Sequence, residues 1–459
     1  MLLIGLVITF LTGLSLLNLI SRNFSVLEKA GLSFLTGLAL QTLLMLVMDA
    51  LGLGLNKFNI LTCSVLLCLG LNIPVYLKHR QWPGTFRQIA VKLPSLNFIW
   101  LLFMVLVIYL EYMNFVKCMY YPTFDRDSLA GFDTIGWIVS QEHTFRNLSI
   151  FQKDYVPAIQ NAGSYITYMP MLQLSYAYVY ILGAATSKII PALVFLSFLI
   201  SFYAVTSKFV GHTGAAAATF FVLITPEMIA FSSLSATNVI HAAYASLGVG
   251  YMALWFCDRK SMYWQISAVL LAANLWIRNE GLVFIGAAIL ATLIRSWKEK
   301  PWRFLLKYGL LCISPMVVWV LFMKIYGIRA EGIIITHPFW DVAKMSMIWN
   351  YFKSHWFNQQ YYGLSFALFA LAVIANSWFL IRKKDQLYLV LMILFSMLFY
   401  MVILYQIDYI WDSIQNVLAY SAKRFMFCFI PLLWLYVVSS HWGKLLFQWL
   451  EKFLNYKKI

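Results

Sequence analysis

Three carboxylates lie close together in the segment Phe124-Asp125-Arg126-Asp127-Ser128-Leu129-Ala130-Gly131-Phe132-Asp133. Such a group can act as a general base toward an acceptor hydroxyl, or can hold a divalent metal through hard oxygen ligands. A solvated loop with several acids has the same composition, so both interpretations stay open on these residues alone. We take Asp127, Asp125 and Asp133 as candidate catalytic residues, and Asp125 and Asp127 as the ligands of any magnesium or manganese ion.

Two groups of cations are candidates for binding a phosphate. The turn Arg278-Asn279-Glu280-Gly281 joins two short apolar runs, where ionisable residues are costly and are either paired with each other or functional. Lys423-Arg424 precedes another apolar run; the two cations either bind a phosphate, with Arg suited to a bidentate grip, or anchor a helix end at the interface. The candidate phosphate-binding residues are therefore Arg278, Lys423 and Arg424, with Glu280 beside them.

Several polar residues within or next to apolar segments are candidates for a substrate groove. Glu111 lies about six residues before the end of its predicted helix, and Asn238 and His241 are three residues apart, hence on one helix face. Hydrogen bonds between helices would place the same residue types there. His337, Trp340 and His355 lie in a segment rich in aromatic residues, which either stack on a sugar ring or anchor the loop at a bilayer surface. His337 and His355 lack H-x-x-x-H spacing, so we predict no zinc site there.

The elements that position these residues are predicted to be membrane helices. The 459 residues are 62% hydrophobic and only 11% charged, and their mean hydropathy is +0.76. About a quarter of residues are charged in a soluble globular protein, so that class is excluded. The net charge of +16 is spread over short clusters between apolar runs, which is typical of cytoplasmic loops rather than of a nucleic-acid surface. The six cysteines have no C-x-x-C spacing, and we predict neither disulfides nor a cysteine metal site.

We predict an all-α protein of about 13 transmembrane helices. Residues 1–20 lack a basic start and a cleavage site and are interpreted as a retained helix. With the basic connection 78–92 in the cytoplasm, 21 Lys and Arg lie inside and 13 outside, whereas 5 acids lie inside and 11 in outer loops. The amino terminus is then outside and the carboxyl terminus inside. The predicted spans are 1–20, 31–53, 58–77, 95–117, 188–209, 214–231, 238–257, 262–277, 280–296, 304–326, 362–382, 386–405 and 425–442.

One segment of crossing length, 164–183, is interpreted differently. It carries six tyrosines, Pro170 and Gln173, and we expect an amphipathic helix that lies in the outer interface, where tyrosine is enriched. The three long outer segments are then 117–187, 327–361 and 406–424. Long loops tend to be functional, so the chemistry is expected on the outer face.

The order of these motifs resembles that of the GT-C glycosyltransferases, integral membrane enzymes that use polyprenyl-phosphate sugars. Phe124-Asp125-Arg126-Asp127-Ser128-Leu129 followed by Trp137 is similar to the W-D-S/A-L…W stretch of bacterial members, and Tyr168-Met169-Pro170-Met171-Leu172 resembles the start of an interfacial helix in protein O-mannosyltransferases and lipid A aminoarabinose transferases. Further similarities lie in Pro226-Glu227 with Asn238, in Arg278-Asn279-Glu280-Gly281, and in Tyr420 with 423–431. In this family an acid of the first outer loop is the base or a metal ligand, which places Asp127 in the catalytic position. Asn238 stands where a second acid is often found, which counts against a metal held by two carboxylates.

The resemblance covers residues 95–442 and implies three regions: extra helices in 1–94, a catalytic membrane module in 95–326 that includes loop 117–187, and a carboxyl-terminal region in 327–459. It implies transfer of a sugar from a polyprenyl-phosphate donor to a glycan, lipid or protein acceptor at the outer face of a bacterial inner membrane, as part of cell-envelope glycan assembly. An O-antigen-type polymerase or ligase and a lipid-linked glycan transporter or flippase are the alternatives. No P-loop, GxGxxG or GxSxG with suitable flanks occurs, so ATP hydrolysis, dinucleotide chemistry and serine hydrolysis have no support.

Overall fold

The protein is a helical bundle in the computed structural model, which describes residues 1–79, 97–151, 168–328, 334–336, 340–409 and 413–456. Two short strands, β1 (Ile334–Thr336) and β2 (Ile407–Tyr409), pair antiparallel. The helices of ten or more residues are α1 (Leu2–Ile20), α2 (Val26–Ala50), α3 (Lys57–His79), α4 (Phe98–Tyr120), α5 (Asp133–Glu142), α6 (Met171–Ile181), α7 (Ile189–Ile224), α8 (Thr237–Asp258), α9 (Ser261–Ile277), α10 (Leu282–Ser296), α11 (Trp302–Tyr326), α12 (Val342–His355), α13 (Ser365–Ala375), α14 (Leu387–Gln406), α15 (Ile430–Ser439) and α16 (His441–Tyr456). Shorter helical turns span Ser128–Phe132, Ser149–Phe151, Pro226–Phe231, Asn279–Gly281, Trp297–Glu299, Gln359–Tyr362, Phe379–Lys383, Ile414–Val417, Leu418–Ala422, Lys423–Phe425 and Met426–Cys428.

The helices confirm a polytopic membrane protein but not the count of thirteen crossings. Ten helices among the described residues are long and apolar enough to cross a bilayer. Two predicted spans, 188–209 and 214–231, correspond largely to the two arms of the 36-residue α7, which counts once among these ten helices. Two others correspond to α9, with 17 residues, and α13, with 11, and both are shorter than the roughly 20 residues that one crossing needs.

Gly211 divides α7 into two arms that run back along each other. Its φ of +80° and ψ of −178° lie outside the helical region and favour glycine. The Tyr203 hydroxyl lies 2.9 Å from His212 Nδ1, and Tyr203 packs with Ala215 and Ala216 on the second arm. Residues nine or more apart in a straight helix are too distant for these contacts, at 1.5 Å of rise per residue. The chain therefore reverses its direction at Gly211.

Helices α1 and α2 pack closely because small residues meet at their interface. A Cβ atom added to Gly13 would collide with the Ser33 carbonyl, and one added to Gly37 would collide with the Thr9 carbonyl. Small residues let two membrane helices approach at backbone distance. Helix α2 is in turn tied to the rest of the bundle, since Tyr244 donates to the Leu35 carbonyl at 2.7 Å.

Helix α6 corrects the interpretation of the tyrosine-rich segment. Ten of its eleven residues are buried, including Gln173 and Tyr176, and it packs against α5 and α2. It is therefore a buried helix rather than an amphipathic helix on the surface. Eleven residues span about 16 Å, too short to cross a bilayer, which agrees with the expectation that this segment does not cross.

The two ends of the bundle differ in their residues. One end, called here the loop end, carries 121–148, 225–237, 278–281, 340–364 and 413–425. The opposite end, called the basic end, carries 258–260, 295–303, 382–386 and 441–452. Ion pairs connect residues that were predicted on the same side of the membrane: Lys208 with Glu28 at 3.1 Å and Lys444 with Asp385 at 3.1 Å at the basic end, and Asp127 with Arg424 at the loop end.

Candidate functional site

Asp127 meets a cation from the far end of the chain. Nη1 of Arg424, 297 residues away in sequence, donates to Oδ2 of Asp127. The Arg424 Nε also donates to the Tyr420 carbonyl at 2.8 Å, which fixes the guanidinium over the first loop. Both side chains keep about a quarter of their surface exposed. The first acidic loop and the start of the last apolar segment therefore form one site.

Asp125 and Asp133 are held by hydrogen bonds from within the loop end. Ser128 Oγ donates to Asp125 Oδ2 at 2.5 Å, and the Ser128 amide donates to Oδ1 at 3.2 Å. Burial raises the pKa of the Asp125 carboxyl, and the hydrogen bonds from Ser128 oppose that shift. Asp133 accepts from Tyr180 at 2.7 Å and from Thr123 at 3.2 Å. Asp125 and Asp133 thus order the loop, whereas Asp127 contacts another element.

Lys188 contacts the backbone at the start of this loop. Its side chain is buried, and Nζ donates to the Tyr121 carbonyl at 2.8 Å. Burial, together with the nearby charge of Lys117, lowers the pKa of Lys188. Sequence reasoning missed this residue, because a lone lysine before a helix gives no sign of what it contacts.

Arg278 and Glu280 form an ion pair with each other, which is one of the two interpretations that the sequence left open. Nη2 of Arg278 donates to Glu280 Oε1 at 2.5 Å and Nε donates to Oε2 at 3.3 Å. The Arg278 Nη1 also donates to Thr237 Oγ1 at 3.2 Å and to Asn238 Oδ1 at 3.3 Å. The turn after α9 is thereby joined to the first turn of α8, and Asn238 lies beside Arg278.

Tyr168 links this ion pair to the Asp127–Arg424 pair. The Arg278 guanidinium lies over the Tyr168 ring, 5.5 Å from its centroid. Burial raises the pKa of the Tyr168 hydroxyl, and the charges of Arg278, Glu280, Asp127 and Arg424 all act on it. The tyrosine belongs to the Tyr-Met-Pro motif, but sequence reasoning did not select it as a site residue.

Lys423 pairs with an acid that sequence reasoning passed over. Its Nζ lies 2.8 Å from Glu227 Oε1 and 3.7 Å from the centroid of the Tyr361 ring. The Pro-Glu turn was noted, yet Asn238 was taken as its functional polar residue. His355 joins the same group, since its ring is parallel to Tyr361 at 6.3 Å and stacks on Tyr351 at 4.0 Å.

His241 and Glu111 lie deeper in the bundle. His241 Nδ1 is 3.0 Å from Cys428 Sγ, whereas its buried Nε2 has no hydrogen-bond partner among the described residues. Glu111 accepts from Asn114 at 3.3 Å, and Asn114 accepts from Ser232 at 2.8 Å. Asn274, near the end of the helix that precedes Arg278, donates to the His241 carbonyl at 2.8 Å, whereas Glu111 is connected to the Ser232 turn rather than to Asp127.

Of the remaining predicted site residues, Trp340 does not join this cluster. Trp340 is 68% exposed and its ring packs on Tyr405 at 5.1 Å. His337 lies outside the described residues. The described residues contain no group of three or more His, Cys, Asp and Glu that would hold a metal. Asp125 is occupied by Ser128 and Asp127 by Arg424, so the arrangement gives a metal at this pair no third protein ligand in the described part of the chain.

Comparisons with known proteins give no relative: no protein-family model, no curated protein and no solved structure matches this chain.

The site is thus a set of paired charges at the loop end of an apolar bundle. Three cations each contact a carboxylate: Arg424 and Lys423 pair with acids of distant segments, whereas Arg278 pairs with Glu280 of its own turn. Such pairs are chemically able to accept a proton from a hydroxyl at the carboxylate and to bind an anion at the cation.

Proposed function

We propose that this protein is a membrane glycosyltransferase that moves a sugar from a polyprenyl-phosphate-linked donor to an acceptor hydroxyl. The observation that supports the proposal best is the contact between Asp127 and Arg424. It joins the acid nominated as base to a cation nominated as phosphate ligand, although the two are far apart in sequence. The Arg278–Glu280 pair lies next to them across Tyr168.

In the proposed reaction, the acceptor hydroxyl attacks the anomeric carbon of the donor sugar in line with the leaving phosphate. The new bond joins the acceptor oxygen to that carbon, while the bond from the carbon to the phosphate oxygen breaks. Asp127 takes the hydroxyl proton. The bond electrons leave with the lipid phosphate, whose charge is stabilised by Arg424 and Arg278.

Arg424 is suited to contact the base and the leaving group together. A guanidinium carries five N–H donors in one plane. In the structure one of them contacts Asp127 and another contacts the Tyr420 carbonyl. The remaining N–H groups of the guanidinium can donate hydrogen bonds to a phosphate. Lys423 is the third cation proposed to bind the donor phosphate, and the outer face of a bacterial inner membrane is the proposed location.

The test is sugar release from radiolabelled polyprenyl-phosphate and polyprenyl-diphosphate sugars by the purified protein, with and without EDTA. We expect turnover with one donor class and a loss of about 10²–10⁴-fold in Asp127→Asn, the usual contribution of a general base. Asp341→Asn is the matched control, because Asp341 accepts from the Ala343 and Lys344 amides at a helix start and asparagine caps as well.

Each outcome is decisive. Full activity of Asp127→Asn would remove Asp127 from the role of base and move the test to Asp125 and Asp133. If the wild type neither binds nor cleaves any donor, the proposal fails, and the polymerase and transporter alternatives take its place. Loss of turnover in EDTA, restored by magnesium or manganese, would assign a metal to the site.

A further inference from the structure

A second group of cations surrounds a cavity at the basic end, far from the proposed transfer site. The cavity has a volume of about 380 Å³, within the range of roughly 300–1,000 Å³ that is usual for small-molecule sites. It lies between the ends of α8 and α10 and the connection into α14. Its lining residues include Phe256, Cys257, Arg295, Lys383, Lys384 and Tyr388.

Arg295 is the best-placed cation of this cavity. Its guanidinium lies over the Tyr388 ring at 4.8 Å and near the Phe256 ring at 5.6 Å. Within the described residues it makes no ion pair, and its buried Nε has no hydrogen-bond partner. A buried guanidinium donor without a partner costs free energy. An anion in the cavity would supply the missing acceptor.

The charges around the cavity are out of balance. Arg295, Lys383 and Lys384 line it together with one acid, Asp385. Asp385 pairs with Lys444 at 3.1 Å, so its negative charge is already balanced by a cation that does not line the cavity. Burial and then the neighbouring charge of Arg295 lower the pKa of the Arg259 guanidinium, and the Glu299 carboxylate opposes that shift.

The backbone adds to this positive field. The cavity is lined by Gln386, which directly precedes α14, and by Tyr388 and Leu389 in the first turn of that helix. The amino end of a 20-residue helix carries a partial positive charge and free amide donors. Anions therefore bind readily at this position.

We propose that this cavity binds the phosphate of an anionic lipid headgroup. Its position at the ends of three helices that are long and apolar enough to cross a bilayer favours a lipid over a free ion. Helix α16 lies at the same end, and Lys444 from its first turn is the partner of Asp385. Its Trp442 and Trp449 are more than half exposed, and exposed tryptophans of an amphipathic helix mark the headgroup level of a bilayer. Basic pockets between membrane helices at the basic side suit such headgroups.

The experiment compares phosphatidylglycerol, phosphatidylcholine and inorganic phosphate as ligands of the purified protein. Native mass spectrometry measures retained lipid, and thermal unfolding measures stabilisation. We expect retention of phosphatidylglycerol but not of phosphatidylcholine, and an affinity at least tenfold lower in Arg295→Gln. Arg303→Gln is the matched control, because Arg303 is exposed at the same end and does not line the cavity.

A second readout protects the test from a variant that fails to fold. Cys257 lines the cavity and is exposed, so bound phosphatidylglycerol should slow its alkylation in the wild-type protein, measured by peptide mass spectrometry. Equal retention of both lipids, or alkylation unchanged by phosphatidylglycerol, would overturn the proposal. Protection by inorganic phosphate at the same concentration would assign the cavity to a free phosphate.

Discussion

The cation cluster of the candidate transfer site and the cations around the basic-end cavity are held in different ways. At the loop end, Arg278, Lys423 and Arg424 each lie within ion-pair distance of a carboxylate. At the basic end, the Arg295 guanidinium rests on aromatic rings and its Nε lacks a hydrogen-bond partner among the described residues. Paired charges hold segments in place and are available to a reaction when substrate enters. Unpaired charges around a cavity instead create a standing attraction for an anion.

The difference also follows from what surrounds each cation. Acids in the loops predicted to be outer outnumber those predicted to be inner by 11 to 5, so loop-end cations readily find carboxylates. The loops of the basic end are rich in Lys and Arg, as the positive-inside bias predicts for loops on the cytoplasmic side. Mutations that alter charge should therefore have different consequences at the two ends.

The largest expected effect comes from exchanging the charges of the Asp127–Arg424 pair. Asp127→Arg and Arg424→Asp should each abolish sugar transfer and lower the unfolding temperature, because each leaves two like charges in contact. The double exchange should restore much of the stability, since the pair is re-formed. It should not restore transfer, because the base would then lie on the wrong element. Thermal unfolding and donor turnover are measured on the same preparations.

This comparison separates a reactive pair from a structural one. If the double exchange recovers transfer as well as stability, the pair only holds the loop against the last apolar segment, and Asp127 is not the base.

A smaller effect is expected from Arg278→Lys. Lysine keeps the charge but loses the fork that contacts both oxygens of Glu280 and the side chains of Thr237 and Asn238. We expect kcat/KM for the lipid-linked donor to fall about tenfold, or about 1.4 kcal/mol, while phosphatidylglycerol binding at the basic end is unchanged. Lys353→Arg makes the opposite exchange at an exposed position on α12, and as the control it should leave kcat/KM unchanged. An unchanged kcat/KM would restrict Arg278 to holding the turn.

The smallest effect is expected from Lys444→Gln at the basic end. The Lys444–Asp385 pair is partly exposed, with side chains 26% and 29% accessible, so its loss should cost at most about 1 kcal/mol of unfolding free energy. Asp385 would then face the cavity without its partner and repel an anion. We expect a roughly two- to fivefold weaker affinity for phosphatidylglycerol, as about 1 kcal/mol allows. Stronger binding of phosphatidylglycerol by Lys444→Gln would contradict the expected repulsion of the lipid phosphate by Asp385.

Sequence reasoning was most successful for elements whose pattern is local. The long apolar runs predicted membrane helices, and helices α1 to α4 lie close to their predicted spans. It was least successful where a short apolar segment has two possible environments. The composition of α6 suits a bilayer interface as well as a protein core, because tyrosine has an apolar ring and a polar hydroxyl. Only the neighbouring helices decided that it is buried.

The sequence by itself determined the membrane class, the approximate positions of most helices and the types of residue at the helix ends. Hydropathy and charge bias depend on neighbours along the chain, so one sequence suffices for them. The tertiary structure alone decided that Arg424 contacts Asp127, that Lys423 contacts Glu227, and that Arg295 lines a cavity. These contacts depend on how helices pack side by side. A local sequence pattern does not indicate which of several similar apolar helix faces pack together. The site residues come together only through that packing.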